Sequence, residues 1–151
     1  MCRGISVLKN RIRQELYEEY ELSRFLHKRG DCEELWFDFA ERVQTVLLPV
    51  ISDGQLLIRQ WGNRSGAGKL PKTGWCKQES LTAGKWRWLE PQPVEIPADF
   101  GLEKGIWFGV TQGMRGILVQ DHVYMLTEPA SHYYEVMTRH DRMPVLIDQV
   151  I

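Results

Sequence analysis

Apolar residues recur every four positions at Leu8, Ile12, Leu16 and Tyr20, and Phe25 and Leu26 extend the stripe towards Gly30, a residue suited to ending a helix. The spacing predicts an amphipathic helix. Asp31 followed by Glu34 has the capping-box pattern, and Leu35, Trp36, Phe39 and Val43 then mark one face of a second helix. Both helices are expected to cover a sheet. After Pro49 the pattern changes to short apolar runs bounded by turn residues. Asp53-Gly54 signals a turn, and residues 56–61, 106–110, 116–119 and 123–127 predict strands. Residues 62–74 hold four glycines and one proline, which predicts a mobile loop between strands and not a linker between domains. Pro129, Ser131 and residues 133–137 predict a short capped helix ahead of Arg139. No internal repeat is present.

A length of 151 residues with 43% hydrophobic and 26% charged side chains is an ordinary globular balance, which predicts one domain over residues 1–151 and excludes disordered and collagen-like classes. The longest apolar stretch, residues 46–51, contains Pro49 and falls far short of the ~18 residues of a membrane span. No membrane association is expected. The opening Met1-Cys2-Arg3-Gly4-Ile5-Ser6 leads into a charged run instead of an apolar signal core, so a cytoplasmic protein is expected. Three cysteines with no C-x-x-C pair suit neither a disulfide scaffold nor a zinc site. They are read as thiols, with no metal and no cofactor expected.

The formal net charge of −1 conceals an asymmetry: residues 59–88 carry seven Lys or Arg against the single acid Glu79, and also four of the six tryptophans, Trp61, Trp75, Trp86 and Trp88. Cations interleaved with large flat rings suit single-stranded nucleic acid. A basic surface with its tryptophans turned into the core fits the same composition. The glycine-rich stretch from Gly62 to Leu70 is not a phosphate loop, because Asn63 and Leu70 stand where a Walker A motif needs Gly and Ser or Thr.

Three residues suggest chemistry. If Met1 is removed, Cys2 becomes an N-terminal 1,2-aminothiol, whose amine (pKa about 7.7 to 8.0) and thiol (about 8.5) are both partly available as nucleophiles near neutral pH. Such a pair condenses with an aldehyde to an imine and closes to a thiazolidine, or its thiol attacks an amide. A cysteine after Met1 is also compatible with no role. His140 opens the dense run His140-Asp141-Arg142-Met143-Pro144, able to pass protons and grip a phosphate, or to form a polar turn with an internal salt bridge. Glu103, four residues after Asp99, is a candidate general base if buried and a solvated strand-end carboxylate if not.

In order along the chain, Met1-Cys2, Trp61-Gly62, Trp75-Cys76-Lys77-Gln78-Glu79, Pro97-Ala98-Asp99 with Glu103, and His140-Asp141-Arg142-Met143-Pro144 resemble the motifs of the SOS-response-associated peptidase (SRAP) family, the last most closely. The chain is similar to a compact, divergent member: Arg3-Gly4 inverts the family's Gly-Arg, Trp75 stands at its asparagine and Lys77 at its arginine. The resemblance implies an α+β domain with an antiparallel, barrel-like mixed sheet and covering helices. It implies a protein, active as a monomer, that crosslinks covalently to abasic sites in single-stranded DNA. Cys2 would supply amine and thiol, Glu103 would handle protons, and His140 would assist ring opening and imine formation. Arg3, Lys77 and Arg142 would hold phosphates, with Trp61 near the bases. Two rival functions remain: an N-terminal-nucleophile thiol peptidase built on Cys2 and His140, and a non-covalent single-strand binding module carried by residues 59–88.

Overall fold

The computed structural model describes residues 1–40 and 45–151; Val43 of the expected second helix lies outside the described residues. The segment expected to be two helices is mostly sheet. Ile5 and Val7 are buried on one side of β1 (Gly4–Leu8), which forms where apolar residues alternate with Ser6. The four-residue spacing survives only in the single turn-and-a-half of α1 (Gln14–Glu19), whose Leu16 is buried. Beyond it, β2 (Leu26–Arg29) and β3 (Cys32–Asp38) form a hairpin with Arg29 opposite Cys32. Gly30, at φ +63°, makes its tight turn, so the glycine read as a helix stop reverses a strand instead. In β3, Leu35 and Phe37 face the core while Glu34 and Trp36 face away.

Glu34, taken for a capping-box acid, is 1% exposed. It accepts hydrogen bonds from Ser6 Oγ (2.5 Å), Arg29 Nε (2.8 Å) and Trp36 Nε1 (3.2 Å). Burial pushes its carboxyl up, but these donors outweigh burial and the net displacement is downward.

A five-stranded sheet in the order β2-β3-β1-β8-β9 is completed by β8 (Phe100–Glu103) and β9 (Ile106–Gly109). The second sheet closes on itself. Its ring runs through β4 (Leu47–Ser52), β5 (Gln55–Trp61), β11 (His122–Pro129), β10 (Met114–Val119) and β7 (Gln92–Ile96), and back to β4 through Ile51 opposite Glu95. Asp53 and Gly54, at φ +50° and +75°, make the two-residue turn between β4 and β5 that the sequence signals. β11 is the spine of this barrel. Besides its two ring neighbours it pairs in parallel with β6 (Trp75–Lys77) and antiparallel with β12 (Arg142–Pro144).

The protein is therefore an α+β domain of mostly strands, with a closed five-stranded barrel and a second sheet. The long covering helices are replaced by short ones: α1, α2 (Gln78–Thr82) and α3 (His132–Thr138). α3 is the capped helix the sequence predicts, with Ser131 Oγ accepting the Tyr134 N–H at 3.1 Å. Ile5, Val7 and Phe37 of the sheet share one apolar core with Leu48, Ile58 and Met125 of the barrel. Residues 62–74 form a loop, as expected, but a pinned one. Buried Asn63 donates through Nδ2 to the carbonyls of Ala67 and Leu70, each at 2.9 Å, and the Tyr124 hydroxyl donates to the Pro71 carbonyl at 3.0 Å.

Candidate active site

The start of the chain is threaded between the two sheets. The Arg3 N–H donates to the Leu102 carbonyl and the Phe39 N–H to the Arg3 carbonyl, both at 2.9 Å, extending β1 backwards to Cys2. Trp75, on β6, donates its indole N–H to the Cys2 carbonyl at 2.9 Å. Cys2 is completely buried, with its Sγ donating to the Gly4 carbonyl at 3.1 Å. Burial pushes the thiol up to about 12, against opposing hydrogen bonds from the backbone at Leu102 and Gly4. In the folded chain with Met1 in place the thiol is therefore held protonated near neutral pH, whereas the partly ionised thiol that the sequence predicts belongs to the chain without Met1.

Glu103 ends β8. It is fixed by the two-residue turn Lys104-Gly105, at φ +48° and +79°, which sets Glu103 opposite Ile106. The carboxylate is 3% exposed, with Oε2 3.4 Å from the Met1 ammonium and Oε1 3.9 Å from His140 Nε2. Desolvation lowers the pKa of the terminal amine, while Glu103 opposes the shift. The effect is a larger share of free, nucleophilic amine at neutral pH.

His140 is positioned by the end of α3. Arg139 caps the helix in the left-handed region at φ +59°, and Lys104 Nζ donates to the Arg139 carbonyl at 2.8 Å, tying the Glu103 turn to the histidine segment. Thr138 Oγ1 accepts the His140 N–H at 3.3 Å. The Arg142 N–H donates to His140 Nδ1 at 3.0 Å, so the neutral ring carries its proton on Nε2, towards Glu103. The structure thus brings Cys2, Glu103 and His140, remote in sequence, to one seam between the sheets.

Tyr134 was not singled out by sequence. Its side chain is completely buried, its ring meets Phe108 edge-on at 5.3 Å, and its hydroxyl has no hydrogen-bond partner among the described residues. Burial, then the neighbouring Cys2 and Glu103, push its pKa up. Glu103 Oε2, paired with the Met1 ammonium, makes no further hydrogen bond among the described residues. The unbonded hydroxyl and this carboxylate both neighbour Cys2. A lone tyrosine in a helix signals none of this; only the way α3 packs on β9 does. Close approach there needs Gly101, since a Cβ at that position would lie 2.3 Å from the Phe108 ring.

The four residues expected to contact DNA have different settings. Trp61 has no exposed surface; its Nε1 donates to the Gly74 carbonyl at 2.9 Å and its ring packs against Phe39 and Trp75. That is a correction: a ring enclosed in the core cannot stack on a base. Arg3 is bound by Asp38 through two hydrogen bonds, at 2.7 and 3.3 Å. Arg142 is committed to Glu79 at 2.7 and 3.1 Å and to the Thr127 carbonyl and hydroxyl at 2.9 and 3.1 Å. The guanidinium in turn holds the Glu79 carboxyl down to about 2. Lys77 is exposed at the end of β6. Among the described residues no group of His, Cys, Asp and Glu is arranged to hold a metal ion, and no helix is long and apolar enough to cross a membrane. Compared with known protein families, with curated proteins and with solved structures, the chain matches none.

Proposed function

We propose that this protein captures abasic sites in single-stranded DNA as a covalent crosslink through Cys2, as a compact and divergent SRAP-like protein of the cytoplasm. The observation that carries the proposal is the meeting of the chain's first amine, the Glu103 carboxylate and His140 Nε2 within hydrogen-bonding or ion-pairing reach beside a buried thiol. Removal of Met1 moves the free amine to Cys2. That amine attacks the aldehyde carbon of the ring-opened sugar to give a carbinolamine, which leaves water behind as it becomes an imine. The thiol then adds across the C=N bond: sulfur bonds to carbon, the thiol proton ends on nitrogen, and a five-membered thiazolidine results.

Glu103 is placed to take a proton from the ammonium and return it to the departing hydroxyl, and His140 to protonate the sugar ring oxygen through Nε2. Trp75, standing where the SRAP motif has asparagine, orients Cys2 through its carbonyl.

The test is a denaturing gel of the protein with a single strand carrying one abasic site. A slow-migrating complex is expected, from chains whose intact mass lacks Met1. It should be lost in Cys2→Ala and replaced in Cys2→Ser by an adduct that survives only after borohydride reduction. Undiminished crosslinking by Cys2→Ala, or none by the parent protein, overturns the proposal.

A further inference from the structure

Of the four tryptophans in residues 59–88, three are occupied by the fold. Trp61 is in the core, Trp75 serves Cys2, and Trp86 meets Tyr124 edge-on at 5.0 Å. Trp88 is different: it is 64% exposed. Its support is nevertheless rigid. It lies in a one-turn helix, Arg87–Leu89, whose flanking Trp86 and Leu89 pack on the apolar cluster around Tyr124 and Leu126. Trp88 borders a groove of about 430 Å³ whose wall includes Gly68, Lys69, Leu70 and Gln120.

The surroundings are cationic. Lys69 lines the groove with Trp88, and Lys85 and Arg87 lie within three residues of it in the chain; all three are exposed, and none takes part in an ion pair of the described residues. Glu90 is the one acid in the groove wall. Exposed cations without counter-charges around a rigid, outward-facing indole match a ligand that is both polyanionic and planar. A duplex hides the faces of its bases; a single strand presents them.

We propose that Trp88, with Lys69, Lys85 and Arg87, is a second, non-covalent contact for single-stranded nucleic acid, in a groove whose wall includes none of Cys2, Glu103 and His140. The ligand rests on the function proposed above; the contact itself does not need the thiol. Trp86, two residues before Trp88, packs on Tyr124, and the next residue of β11, Met125, pairs with Trp75, the residue bonded to the Cys2 carbonyl, so β11 connects the two sites. Trp88, not Trp61, is the stacking residue of the basic segment.

The experiment is fluorescence anisotropy of a labelled, undamaged oligothymidylate with the full chain carrying Cys2→Ala, between 50 and 200 mM salt, alongside melting temperatures. Trp88→Ala is expected to weaken binding roughly 10- to 100-fold at every salt concentration, and Trp88→Phe to restore most of it. Lys69→Ala with Arg87→Ala should lower the slope of log affinity against log salt by up to about 1.4, from ~0.7 per phosphate. All variants should melt with the parent. If Trp88→Ala destabilises the chain, Trp88→Phe and the cation pair decide. Unchanged affinity in Trp88→Ala, equal binding of a duplex of the same length, or competition by polyglutamate as effective as by the oligonucleotide overturns the contact. Crosslinking of the Cys2 protein to abasic strands is scored separately. Loss of the covalent product with Trp88-dependent binding retained removes the covalent proposal alone.

Discussion

The burial of Cys2 fixes how fast its thiol reacts with a small electrophile. Displacement from an ordinary 9.0 to about 12 leaves roughly one thiol in ten thousand ionised at pH 8, against about one in ten for an unperturbed thiol. In chains that retain Met1, iodoacetamide should therefore alkylate Cys2 about a thousandfold more slowly than an unperturbed thiol, with a rate rising tenfold per pH unit well beyond pH 9. Native alkylation followed peptide by peptide by mass spectrometry measures this. Exposed Cys32 serves as the fast internal reference, and Cys76, also buried and pushed up to about 12, as the slow one. In denaturant all three should react alike.

The same displacement has a thermodynamic face. The folded state holds the Cys2 proton more tightly than the unfolded state, so its contribution is complete below about pH 9 and is lost as pH rises towards 12. The displacement corresponds to about 4 kcal/mol. Labelling of Cys2 within tenfold of Cys32, while Cys76 stays protected, would refute the reasoning, since the fold would be intact and the thiol ionised.

Tyr134→Phe removes a buried hydroxyl that has no partner among the described residues and should raise unfolding stability by about 1 kcal/mol in urea titrations; a loss of that size would mean the hydroxyl is bonded. Trp61→Ala empties a fully enclosed site and removes one of the two hydrogen bonds to the Gly74 carbonyl, and should cost about 3 to 5 kcal/mol by the same measurement.

Where one local signal determined the geometry, the sequence was sufficient to read it. Asp53-Gly54 makes its turn, Ser131 caps its helix, and the runs within β5, β9, β10 and β11 are strands because β-rich apolar clusters between turn residues have few other uses. Residues 8–39 were misread because two periodicities overlap there. Leu35, Trp36 and Phe39 fit a helical face, while Leu35 and Phe37 fit a strand, and pairing with β1 and β2 favours the strand. Cys2, Glu103 and His140 were legible as residue types; β1 pairing with β8 brings the first two together, and the Lys104 bond to the Arg139 carbonyl brings in the third. Trp61 was misplaced because composition does not say which tryptophan of a cluster is enclosed. Tyr134, Lys104 and Trp75 act through contacts between remote segments, so no local pattern marks them.

The seam that holds Cys2 has a kinetic consequence. It is closed by contacts between the sheets: Trp75 to the Cys2 carbonyl, Lys104 to the Arg139 carbonyl, and Phe108 against Tyr134. An electrophile too large to enter the closed seam meets the sulfur only while these are parted, so its observed rate is the product of the open fraction and the intrinsic rate until the reagent outpaces reclosure. Beyond that concentration the rate levels off at the frequency of opening, and chemically different electrophiles share one ceiling.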